Sequence, residues 1–122
     1  MVIGGMDQDG RPMAPVVVAG ADGRERKFLC LVWTGFAGDL LLPEADVAAL
    51  GLTPTGTRSV RFADGSRIEA AVHRANVLLA GEARDAEVLA WHGEPRLGMG
   101  LLQGYRISMR FTKGGTISVE KL

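Results

Sequence analysis

Glycine turns set between alternating runs constrain this chain more than any other feature. Asp22-Gly23, Asp64-Gly65 and Gly114-Gly115 each separate two stretches that read as strands. Asp-Gly and Gly-Gly accept the positive φ angles of two-residue hairpins, so each predicts a hairpin. The first joins Pro12–Ala19 to Arg26–Trp33, the second Arg58–Ala63 to Arg67–Val72, and the third Arg106–Thr112 to Thr116–Glu120. Alternation in Arg58-Ser59-Val60-Arg61-Phe62, in Arg106–Phe111 and in Thr116–Glu120 supports half-buried strands. Val77–Ala80 and Glu87–Trp91 are further short strand candidates. Helix is scarce. Pro43–Leu50 predicts one, with Pro43 at its first position and Gly51 past its end. Leu101–Tyr105 predicts one more helical turn. The expected fold is all-β, a small barrel or sandwich with one or two short helices.

Composition removes several classes of function. The chain has 122 residues, which predicts a single domain over 1–122. Lysine plus arginine total 14 and aspartate plus glutamate total 14. Charge balance gives no footprint for nucleic acid or an anionic membrane, and it places little repulsion in the way of self-association. The apolar run Phe28–Trp33 is far too short to cross a bilayer. Met1 to Gly10 has neither the basic start nor the apolar centre of a signal peptide, so a cytoplasmic location is expected. The single cysteine, Cys30, excludes an internal disulfide and a multi-cysteine zinc site. His73 and His92 lack metal-ligand spacing, so neither a metal nor another cofactor is expected.

An apolar strand, Phe28-Leu-Cys-Leu-Val-Trp33, runs into Thr34-Gly35, then Phe36-Ala-Gly-Asp-Leu-Leu-Leu-Pro43 and a short helix. Later come the Ala63-Asp64-Gly65-Ser66 turn and Leu97-Gly98-Met99-Gly100-Leu101-Leu102. In this order the motifs resemble the retropepsin-like aspartic proteases, especially their small bacterial single-domain members, from about Pro15 to Leu122. The resemblance implies a closed acid-protease barrel and a homodimer, each subunit giving half of an active site. It implies that the hairpin carrying Asp64 and Gly65 is a flap over a bound peptide, and that the position of Arg96 lines the substrate channel, with Leu97 and Gly98 beside it. It implies that Thr34 hydrogen-bonds across the dimer axis, and that Pro12–Ala19 and Thr116–Leu122 supply core and interface strands.

Where that family carries Asp-Thr-Gly, this chain has Trp33-Thr34-Gly35. Hydrolysis there needs two carboxylates sharing a proton, one acting as base toward water. An indole N–H accepts no proton. Two further departures adjoin it. Arg96 stands at the first apolar position of the apolar-apolar-Gly motif, and Gly100 stands where relatives commonly carry Asp or Asn. The expectation is a pseudoenzyme that binds a peptide or small molecule in the former cleft of a hydrolase fold. The alternatives are an aspartic endopeptidase seen as an active-site variant, and an enzyme repurposed for a small substrate. A dimerising module without a cleft is the plainest option.

Each candidate residue has a plainer reading too. Trp33 is a ligand platform or a plug at an interface. Arg96 stacks on Trp33 or holds an anion, or it reaches to solvent. Asp64 fits ordinary turn chemistry and Asp39 a loop, so neither is favoured as a replacement carboxylate. Cys30 is expected to pack as a small apolar residue, and Trp91 to lie in the core or an interface.

Overall fold

The computed structural model describes residues 1–62 and 64–122. Ala63, where the sequence reading ended a strand, lies outside the described residues. The strands are β1 (Val2–Met6), β2 (Pro12–Ala19), β3 (Glu25–Val32), β4 (Leu40–Pro43), β5 (Pro54–Arg61), β6 (Arg67–Leu79), β7 (Glu82–Trp91), β8 (Arg96–Leu97), β9 (Tyr105–Met109) and β10 (Thr116–Lys121). One α-helix, α1 (Glu44–Leu50), follows β4, and a 3₁₀ turn spans Met99–Leu102. The fold is therefore mostly β, with one helix.

The strands form one sheet in the order β5-β6-β7-β4-β8-β3-β2-β1-β10-β9, and β2 also pairs with β6. That extra contact, Val17 opposite Leu78 and Val18 opposite Val77, joins two strands distant in the order. Hydrogen-bonded neighbours thus run in a ring: β2, β3, β8, β4, β7, β6 and back to β2. Val16, Val18, Cys30, Leu40, Leu42, Val77, Val88 and Leu97 belong to one buried cluster contributed by these strands. A second cluster, Phe36, Leu41, Val60, Ala70, Val72, Leu89 and Trp91, lies on the side of the β5–β6 hairpin.

Several boundaries depart from the sequence reading for physical reasons. Arg67–Val72 and Val77–Ala80 are parts of one strand, β6, whose alternating burial continues through Ala75 and Val77. Glu87–Trp91 begins earlier, at Glu82, because Ala80 and Gly81 turn β6 into β7 with φ of 54° and 78°. That is the two-residue hairpin geometry with an alanine where glycine or asparagine is usual. Leu40–Pro43 forms a strand, pairing parallel with β7 and antiparallel with β8. A leucine run buried on both faces carries no alternation to reveal it. Pro43 caps α1 with an extended backbone instead of opening it, and Gly51 closes the helix in the left-handed region. The later helical turn sits at Met99–Leu102, two residues before the expected Leu101–Tyr105, and Tyr105 already belongs to β9.

Leu97 is fully buried where β8 joins β3 to β4, whereas Leu29 on β3 is 58% exposed. Leu97→Ala is expected to cost about 2–5 kcal/mol in urea unfolding. Leu29→Ala is expected to cost about 0.5 kcal/mol or less.

Candidate functional site

Two loops that follow parallel strands are stitched together by backbone. Trp33 N–H donates to Leu97 O at 2.8 Å, Gly98 N–H to Asp39 O at 2.9 Å, Met99 N–H to Phe36 O at 2.8 Å and Gly100 N–H to Gly38 O at 2.9 Å. The approach is so close that a Cβ on Gly98 would run into the Gly38 carbonyl and the Phe36 ring. A Cβ on Gly100 would collide with the Asp39 carboxylate. Glycine at 100 is thus required by the position of Asp39, whose Oδ2 accepts the Glu87 N–H at 2.9 Å.

This stitching sets Trp33 at the exit of β3 against the β5–β6 hairpin. Its indole stacks on Phe62 at 5.4 Å and 16°, and lies 6.3 Å from Phe36 and 6.4 Å from Trp91. Phe62 and Trp91 are 5.9 Å apart, so the hairpin is packed down onto the loop through its aromatic residue. Trp91 is fixed by its own Nε1–H, which donates to Glu94 O at 2.9 Å. The Arg96 guanidinium carbon sits 4.3 Å from the Trp33 ring centroid and 4.7 Å from that of Trp91. With the two rings 6.4 Å apart, the cation occupies the notch between them.

The carboxylates near this cluster are engaged elsewhere. Glu94 Oε1 takes Arg11 Nη1 at 2.7 Å, and Arg96 Nη2 stands off at 3.9 Å. Asp64 is exposed at the hairpin tip and accepts from Ser66 N–H at 2.8 Å and Ser66 Oγ–H at 2.6 Å. Those bonds, the hydroxyl first, hold its carboxyl below the usual range. Gly65 shares the exposed tip with a φ of 87°.

The structure therefore brings Trp33, Arg96, Leu97 and Gly98 together, with Thr34 and Gly35 exposed beside them. Asp64 and Gly65 belong to the same tip turn as Phe62, whose carbonyl accepts the Gly65 N–H at 3.0 Å, so the hairpin meets the loop at its tip, through the Phe62 ring. Phe62 and Trp91 are members that sequence reasoning missed as site residues. The available signal for Phe62 was an aromatic flanking the Asp64-Gly65 turn. Beside the cluster lies a cavity of about 330 Å³ lined by Phe36, Ala37, Gly38, Arg58–Arg61 and Leu89. It runs against β5, an end strand of the sheet order. A larger cleft of about 750 Å³, between the turn after β1 and the loop before β10, lies away from these aromatics. Among the described residues, no three His, Cys, Asp or Glu side chains gather as a metal-ligand set. No helix among them is long and apolar enough to cross a membrane.

No family model matches the chain, and no curated protein matches it. It is similar to the solution structure of simian foamy virus (mac) protease, at 21% identity and a TM-score of 0.46. The alignment covers 70% of this chain and 87% of that one. The likeness is distant and partial.

Cys30 lies away from solvent. It is fully buried in the core, and burial pushes its thiol up to about 12. A thiol reagent is expected to label the unfolded chain quickly at mildly alkaline pH and to leave the folded chain unlabelled. Above the unfolded pKa of 9.0 only the unfolded state loses this proton. Stability is therefore expected to fall as pH rises from 9.0 toward about 12, with a shallower fall in Cys30→Ala. Unfolding curves across that range check the sign.

Proposed function

We propose that this chain is a pseudoprotease, a single retropepsin-like domain over 1–122 that holds a peptide or small ligand in its cleft without hydrolysing it. The observation that carries the reading is Trp33. Where the motif calls for a carboxylate stands an indole, stacked on Phe62 and capped by Arg96. The neighbouring carboxylates are committed to Arg11, to the Glu87 amide and to Ser66. The carboxylate that would activate water as general base in that motif is thus missing from position 33.

The ring of paired strands supports the closed-barrel form of this reading. The cavity beside β5 supports the ligand. An extended peptide can add to an end strand through main-chain hydrogen bonds, and Phe36 and Leu89 offer it an apolar floor. The exposure of Thr34 and Gly35 suits a face that meets a second subunit.

Arg96 also bears on whether hydrolysis could be restored. A carboxylate placed at 33 would lie close to a fixed guanidinium, which lowers its pKa and opposes proton sharing. A mixed peptide library, incubated from acid to neutral pH, separates the possibilities. The unsubstituted chain is expected to retain peptides in equilibrium dialysis and to release them intact. Trp33→Asp alone is expected to cut poorly, and Trp33→Asp with Arg96→Leu to cut better, with an acid optimum. Hydrolysis by the unsubstituted chain would overturn the reading, and so would a failure to retain any peptide.

A further inference from the structure

Arg96 is held unusually for an arginine. Its side chain is only 24% exposed, and its guanidinium rests against Trp33 and Trp91. Its Nε–H is buried and has no acceptor. Its nearest carboxylate, Glu94, lies at 3.9 Å, beyond hydrogen-bond length. Arg11 explains that separation. It binds Glu94 at 2.7 Å and is itself held by Asp7 at 3.1 Å, so Glu94 is drawn toward Arg11. Buried donors on a charged group are costly to leave unpaired. The chain instead spends two indoles on positioning this cation.

We infer that Trp33, Trp91 and Arg96 form a seat for a carboxylate, with Arg96 presenting its guanidinium edge to the two oxygens. Arginine is the side chain suited to this. Its planar fork matches a carboxylate in two parallel hydrogen bonds, and its flat faces stack on aromatic rings. The indoles fix the plane of the fork and exclude water from one side. The part of the side chain that remains exposed is where an oxyanion reaches it. The inference rests on the cleft-binding reading and narrows it: the ligand is acidic, an extended peptide with a glutamate or aspartate side chain or a free C-terminus.

Nuclear magnetic resonance reads the seat directly through the Arg96 Nε–H and Trp33 Nε1–H signals. Sodium acetate is titrated into the folded chain against sodium chloride at matched ionic strength, with inorganic phosphate as a separate arm. Acetate is expected to shift both signals along a saturable curve that chloride does not reproduce. In Arg96→Lys, which keeps the charge and loses the fork, the Trp33 signal is expected to stop responding, while the remaining amide spectrum stays close to the parent. Equal, unsaturable drift with acetate and chloride would overturn the seat, as would saturation by phosphate alone. Peptide pairs differing by Glu→Gln are expected to differ about tenfold or more in affinity for the parent, and little for Arg96→Lys. Peptides that bind without regard to either change would overturn the seat and leave the cleft reading standing. Acetate saturation with no peptide retained would support the seat and remove the peptide.

Discussion

The backbone bonds from Trp33 to Leu97 and from Gly98 to Asp39 hold the rest of the structure in place. They lock the exits of β3 and β8, two parallel strands of a ring whose other pairings bury the leucines of β4. They also force the side chain of residue 33 toward the β5–β6 hairpin. Glycine at 98 and at 100 is the local condition for that closeness, since a Cβ at either would strike neighbouring atoms. The position of the aromatic cluster thus follows from main-chain geometry, and its composition follows from which side chain stands at 33.

With tryptophan there, the loop and the hairpin adhere. Aromatic pairs of this kind contribute about 0.5–1.5 kcal/mol each beyond buried area, and a desolvated cation over an indole about 2 kcal/mol. Trp33 makes three such ring contacts and one cation contact, so removing it disturbs hairpin, loop and Arg96 together. The same contacts pack the loop, the hairpin and Arg96 into one cluster. Trp33 and Arg96 are best understood as one unit, because the guanidinium lies 4.3 Å from the Trp33 ring centroid.

Much of the fold was legible because its turns announce themselves. Asp22-Gly23, Asp64-Gly65 and Gly114-Gly115 mark real hairpins, but none is the expected two-residue turn: the strands they join end at Ala19, Arg61 and Met109 and resume at Glu25, Arg67 and Thr116, while β2 was placed from Pro12 to Ala19 as found. The β6–β7 hairpin was hidden because Ala80 takes a positive φ that its residue type does not advertise. β1 was hidden because glycines weaken its strand pattern, yet Gly4 is needed where β2 passes, since a Cβ there would meet the Met13 carbonyl. At the site, the stacking of Arg96 on Trp33 was a readable option from their places in two motifs. Beyond the place of Phe62 beside the Asp64-Gly65 turn, the shares of Phe62 and Trp91 were not readable. They depend on how far the hairpin leans over the loop, which is set by packing between distant segments.

The central claim is that Trp33 and Arg96 act as one physical unit where the β3 exit loop meets the β5–β6 hairpin. A double-mutant cycle in urea unfolding, with Trp33→Ala, Arg96→Ala and both together, tests it most directly. The account predicts a coupling energy of about 0.5–2 kcal/mol between the two sites. Additivity within about 0.3 kcal/mol would contradict it, and would mean that the indole and the guanidinium only share a surface.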